Sequence, residues 1–128
     1  MPKEHVAATE AKLIPLLRKA GNLVFASFSN GEAIGIAICQ RTISSWELSW
    51  NLNIHDLWTR DSHRGNGIGE GLIHFIENYA KDKGFYAVTL ETQHKNQRAR
   101  RLYRRLGYQG TNPRNPGAVI QMKRISPA

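Results

Sequence analysis

Apolar positions recur along the chain in two periods, and the switches between them lay out the elements. Leu13, Leu16 and Leu17 share one side of a stretch from about Ala8 to Ala20, which predicts a helix. Pro15 predicts a kink or a break within it, and Gly21-Asn22 ends it. Leu23 to Phe28 reads as a strand, and Ser29-Asn30-Gly31-Glu32 as a turn carrying the Asn-Gly pair that hairpins favour. Ala33 to Gln40 is the return strand, with Ile34, Ile36 and Ile38 on one face and Gly35, Ala37 and Cys39 on the other. Trp46 to Trp50 fits a short strand or a loop, and Asn53 to Thr59 a strand running into a glycine-rich turn.

The period then lengthens. In Ile68 to Lys83, Leu72, Phe75, Ile76, Tyr79 and Ala80 repeat at three-to-four spacing and predict one core-facing stripe. Lys81 and Lys83 suit the C-terminal end of that helix, and Gly84 stops it. Phe85 to Glu91 alternates as a strand. Lys95 to Leu106 is a second helix, with Ala99, Leu102, Tyr103 and Leu106 as its stripe and Gly107 as its cap. Tyr108 opens a short strand, Thr111 to Gly117 is a Pro/Gly loop, and Ala118 to Ile125 is a final strand. The order predicts an α/β fold, a mixed sheet with helices on its faces, within one domain over residues 1–128.

Composition narrows the partners. No apolar run reaches the roughly 18–20 residues of a membrane helix, and the N-terminus lacks the pattern of a secretory leader. Cys39 is the only cysteine, which excludes an internal disulfide and fits a cytoplasmic setting. The histidines show no metal-ligand spacing, so no metal is expected. The formal net charge of +8 favours anionic ligands: an anionic cofactor, nucleic acid or an acidic surface.

Arg64-Gly65-Asn66-Gly67-Ile68-Gly69 carries the chemistry. Glycines there permit a tight turn and close approach of backbone N–H groups, and the helix start behind them adds unpaired donors and partial positive charge. The combination is a phosphate cradle. The dinucleotide fingerprint fails, because Glu70 or Leu72 stands where its third glycine belongs, and the Gly-Lys-Ser/Thr of a P-loop is absent.

What remains, Arg-x-x-Gly-x-Gly between a strand and an amphipathic helix, resembles the cofactor motif of the GNAT superfamily of N-acetyltransferases. The preceding Ile54-His55-Asp56-Leu57-Trp58-Thr59 looks like that family's fourth strand. Leu90-Glu91-Thr92 and the run from Asn96 to Tyr108 are similar to its second cofactor segment, Asn-x-x-Ala-x-x-Leu/Phe-Tyr-x-x-x-Gly-Phe/Tyr. The strong likeness covers Ile54 to Tyr108.

The resemblance implies a mostly antiparallel sheet in which acetyl-CoA lies between two splayed parallel strands, here Ile54–Thr59 and Phe85–Glu91. It implies that backbone N–H groups of Arg64, Gly65, Asn66, Gly67, Ile68 and Gly69 bind the pyrophosphate. Backbone groups near Trp58 and Thr59 would bind the pantetheine arm, and Asn96 would hydrogen-bond the cofactor. Tyr103 would also meet the cofactor and donate a proton to the departing CoA thiolate, the acceptor amine attacking directly. Asp56 is ranked first as general base, ahead of His55, Glu91 and a water chain.

The bland readings stand beside these: Tyr103 as a core aromatic, Asn96 as a helix start, the arginines of the second helix as solvated, Cys39 as a small buried residue. The chain offers little room for the first strand that relatives carry before Ala8, so a bare sheet edge and a homodimer are expected. Two function classes follow. One is an acetyl-CoA-dependent N-acetyltransferase acting on a primary amine of a small molecule or protein. The other is a non-catalytic basic module of the same fold that binds nucleic acid or a protein partner.

Overall fold

The structure is a computed structural model and describes residues 15–16, 18–44, 48–93, 96–110 and 118–125. Its strands are β1 (Leu23–Ser29), β2 (Glu32–Ser44), β3 (Ser49–Thr59), β4 (Ala87–Gln93), β5 (Gln109–Gly110) and β6 (Ala118–Arg124). A 3-10 turn (Asp61–His63) follows β3, helix α1 spans Ile68–Asp82 and helix α2 spans Gln97–Arg105. The six strands form one sheet in the order β1-β2-β3-β4-β6-β5. It is mostly antiparallel, with β3 and β4 as the parallel pair through Asn51–Ile54 and Ala87–Leu90.

Most of the predicted helix from Ala8 to Ala20 lies outside the described residues, as do Trp46 and the loop Thr111 to Gly117. Its last turn is present: the Ala20 N–H donates to the Leu16 carbonyl at 3.0 Å. Gly21 then ends it with φ +87°. The predicted strands are found, but β2 runs to Ser44 and β3 begins at Ser49, each longer than the alternation suggested.

By its contacts the chain divides into two compact units. The first comprises Met1–Gln40 and His55–Tyr79, the second Arg41–Ile54 and Ala80–Ala128.

In the first unit the hairpin closes through Asn30 (φ +52°) and Gly31 (φ +78°), the left-handed pair that matches strand twist. The pairing slips between Ser27, opposite Gly35, and Phe28, opposite Ala33, so Ile34 is a β-bulge. This corrects the expected face of Ile34, Ile36 and Ile38. Beyond the bulge Ala33 takes the place of Ile34, and Ala33, Ile36 and Ile38 pack with Trp58, Val24 and Ala26. Every residue from Ala33 to Cys39 is buried, so β2 is covered on both faces.

Helix α1 lies against the small-residue face of β2. A Cβ on Gly35 would stand 2.8 Å from Ile68 Cγ2 and 3.0 Å from Leu72 Cδ1. The buried stripe of α1 is Leu72, Ile73, Ile76, Glu77 and Ala80. Phe75, expected inside, is 60% exposed and meets Phe25 edge-on, as the half-buried Tyr79 does. The stripe is therefore turned from Phe75 towards Ile73.

In the second unit Ala87, Val88 and Leu90 of β4 are buried, with Phe85, Leu106 and the fully enclosed Tyr108. Thr89 Oγ1 donates to Asn53 Oδ1 across the parallel pair at 2.8 Å. Helix α2 is held at its start by Asn96, whose Oδ1 accepts from the Ala99 N–H at 3.1 Å.

Gly35→Ala drives a methyl into a branched side chain in a closed core, a kind of overpacking that costs about 1–3 kcal/mol. Chemical denaturation should show that loss, and a double-mutant cycle with Leu72→Ala should give a coupling energy smaller than it, because Ile68 stays in place. A neutral Gly35→Ala would mean that α1 does not press on β2.

Candidate acetyl-CoA site

The last residues of β3 from His55, the 3-10 turn and the start of α1 form a continuous path in the first unit. Arg60 fixes its beginning. The Arg60 N–H donates to the Ile34 carbonyl at 2.8 Å, and Nη2 to the Ala33 carbonyl at 3.3 Å. Its guanidinium also stands 4.0 Å from Glu32, while Nε is buried without a partner. The bulge at Ile34 thus turns two carbonyls towards the residue that leaves β3. Sequence reading missed both Gly35 and Arg60. A glycine inside a strand signals close approach; nothing in the sequence flags Arg60.

Within the turn, Gly65 and Gly67 adopt φ +84° and +76°, the left-handed region where a side chain is strained. The Arg64 N–H donates to Asp61 at 3.2 Å and the Asn66 N–H to His63 at 3.4 Å. The Gly71 N–H closes the first turn of α1 on Gly67 at 2.9 Å. That leaves the N–H groups of Gly65, Gly67, Ile68 and Gly69 without an acceptor among the described residues. The Arg64 side chain pairs with Asp61 at 3.1 Å and is two-thirds exposed.

Gly67 and Gly69 carry different constraints. A Cβ at Gly67 meets nothing within 4 Å, so its demand is conformational alone. A Cβ at Gly69 would make ordinary contact, 3.6 Å from Thr59 Oγ1 and 3.9 Å from Leu57 Cδ2. The turn therefore needs glycine at 67 and has room for alanine at 69.

Trp58 is buried in the core cluster, which leaves its backbone as the part available to a ligand. Asp56 and His55 are both exposed on β3, and Asp56 has no ion pair among the described residues. Cys39 is fully buried, and burial pushes its thiol up to about 12, so it is an inert core residue.

In the second unit Tyr103 is half-buried on α2 and meets Tyr108 edge-on, ring centres 6.3 Å apart. Burial raises its phenol above the ordinary 10.0. Its hydroxyl makes no hydrogen bond with a described residue. Asn96 caps α2 through its side-chain oxygen, the helix-start reading. No group of three or more side chains able to hold a metal occurs among the described residues.

Residues 2–108 match the model of the Acetyltransferase (GNAT) family. The chain belongs to that family.

This GNAT chain is 34% identical to the D-amino-acid N-acetyltransferase HPA3 of Saccharomyces cerevisiae over 109 residues, covering 84% of this chain and 67% of the yeast protein. It is 32% identical to the uncharacterized N-acetyltransferase YhfO of Bacillus subtilis over 100 residues, 78% of this chain and 67% of that protein. It thus spans about two thirds of the length of each. Its fold is shared with the ribosomal-protein-S18-alanine N-acetyltransferase of Escherichia coli, with a TM-score of 0.73 at 21% identity over 91% of this chain and 77% of the other. The reaction class is acetyl transfer from acetyl-CoA to an amine.

The free donors at Gly65, Gly67, Ile68 and Gly69 fit a doubly charged pyrophosphate. Gly67→Ala should weaken acetyl-CoA binding by about tenfold in calorimetric titration, from about 1–2 kcal/mol of left-handed strain. Gly69→Ala should leave it unchanged. The reverse order would refute the cradle.

Proposed function

We propose that this chain works as one acetyltransferase domain that carries the acetyl group of acetyl-CoA to a primary amine of a small molecule or a protein. The observation that supports this most is the glycine turn, with four unpaired N–H donors set at the start of an amphipathic helix. Acetyl-CoA supplies the activated acetyl thioester. Arg64 braces the turn through Asp61, and Gly65, Gly67, Ile68 and Gly69 hold the pyrophosphate. Arg64 and Asn66 serve the cradle mainly through turn bonds that fix its shape. Backbone groups of Trp58 and Thr59 receive the pantetheine arm, and the amide nitrogen of Asn96 is the part of its side chain left to contact the cofactor.

Tyr103 holds the proton that the CoA thiolate needs on leaving. A neutral phenol with a raised pKa keeps that proton across the physiological range and gives it to a developing anion. Asp56, exposed and unpaired, takes the proton lost by the attacking amine. The buried thiol of Cys39 is out of reach as an acyl acceptor, and the amine attacks the thioester carbonyl directly. No described helix is long and apolar enough to cross a membrane. The free Cys39 suits a cytoplasmic setting.

Titration calorimetry with acetyl-CoA, with ATP as control, tests the cofactor. Binding clearly tighter than that of ATP supports the assignment, and equal or absent binding removes it. Tyr103→Phe should lower kcat by about 10²-fold or more with acetyl-CoA affinity kept. Because only the protonated phenol donates and burial raises its pKa, the loss of rate that belongs to Tyr103 should have its midpoint above pH 10 and vanish in the Phe variant. Unchanged turnover in Tyr103→Phe, or in Asp56→Asn, would remove that residue from its role.

The homodimer remains our reading of the sheet edge. β1 ends the strand order, and its outer edge has no partner strand among the described residues. Sedimentation should give twice the 14.5 kDa chain mass; a single-chain mass would overturn the dimer.

A further inference from the structure

The charges of this chain are segregated along it. Residues 92–128 hold nine of the eighteen Lys and Arg residues and none of the ten Asp and Glu residues. The first 91 residues therefore carry a formal charge of −1 and the last 37 carry +9.

In α2 this segregation becomes a face. At about 100° per residue, Arg98, Arg100, Arg101, Arg104 and Arg105 fall within one arc of about 160°. Ala99, Leu102 and Tyr103 take the remainder, and the helix contains neither an acid nor a lysine. Arg98, Arg101 and Arg104 are exposed, and none of the three pairs with a described residue. The arrangement works against the helix. Arg101–Arg105 and Arg100–Arg104 are like charges at i,i+4, each pair costing about 0.2–0.5 kcal/mol. Arg98 lies at the positive end of the helix dipole. No described acid relieves Arg98, Arg101 or Arg104, so among the described residues their guanidinium groups are open to an outside anion.

We propose that the arginine face of α2 docks the phosphate backbone of a nucleic acid, as an activity additional to acetyl transfer. Arginine rather than lysine fits phosphate, because its planar fork donates two parallel hydrogen bonds. Arg98, Arg101 and Arg104 step along the helix by about 4.5 Å each, a row about 9 Å long that can serve two or three phosphates. An acidic protein would call for apolar or aromatic anchors at the centre of the contact, and the arc has none. A membrane surface would call for an outward apolar stripe, but the aliphatic and aromatic side of α2 is half-buried in its own unit.

Fluorescence anisotropy of the full chain with labelled mixed-sequence RNA and DNA oligonucleotides tests this. Affinity should fall with salt along a log–log line whose slope is about −0.7 to −0.9 per phosphate neutralised. Arg98→Gln/Arg101→Gln/Arg104→Gln should weaken binding about tenfold or more and flatten the slope by about two to three units. Arg18→Gln/Lys19→Gln/Lys81→Gln removes the same charge elsewhere and should keep the affinity within about threefold. Arg98→Lys/Arg101→Lys/Arg104→Lys should keep the slope and lose affinity, which separates charge from fork geometry. Thermal melts confirm that each variant is folded. Any of three results overturns the proposal: no binding, equal losses in the two Gln triples, or displacement by polyglutamate as effective as by unlabelled oligonucleotide. Acetyl-CoA affinity lost in the α2 Gln triple with nucleic-acid affinity kept would give the face to the cofactor and overturn it too.

Discussion

The first unit depends on one close approach, that of Ile68 and Leu72 to the bare backbone of Gly35. A phosphate site at a helix start works only if that start is held still, since N–H donors lose their value when they are free to turn away. Here the first residue of α1 is itself a packing residue. Ile68 presses on β2 while its N–H has no acceptor among the described residues, so one residue both packs the core of the unit and supplies a donor of the proposed cradle. Hydrophobic burial of α1 against β2 and the geometry of anion recognition are thus set by the same contact.

The turn is selective about where it spends donors. Six N–H groups from Arg64 to Gly69 are equivalent in sequence, but two of them hold the turn together and four have no acceptor among the described residues. The two closing groups, at Arg64 and Asn66, alternate with the free ones at Gly65 and Gly67, and Ile68 and Gly69 follow at the helix start. The left-handed backbone at Gly65 and Gly67 makes that alternation possible, because it reverses the direction of successive peptide groups.

Local signals are legible in this sequence and long-range ones are not. Asn30-Gly31 announced its turn, Gly21, Gly84 and Gly107 ended helices with positive φ, and the final strand fell within a residue of its expected end. The exposure of Phe75 is not legible because period alone cannot say how wide a buried stripe is; the helix is rolled so that Leu72 meets Gly35 and Ile73 is buried in place of Phe75. The displaced role of Ile34 was invisible because a bulge is set by what the neighbouring strand end needs. Arg60 was invisible for the same reason: its partners are carbonyls, which every residue has. The chemistry of the site was legible where it lay in contiguous residues, as at Arg64 to Gly69. It was not legible where a fold-level contact, such as Gly35 beneath Ile68, supports it.

The bulge at Ile34 also limits what can happen at the surface. Hairpin loops ordinarily accept added or missing residues at little cost. This one is indexed: the carbonyls of Ala33 and Ile34 must arrive where Arg60 receives them, only a few positions past the tip at Asn30-Gly31. One residue inserted between Gly31 and Ala33 would shift both acceptors by one pleat and present the wrong side of β2. The hairpin loop is therefore tied in length to the residue that leaves β3, a part of the chain far from it in sequence.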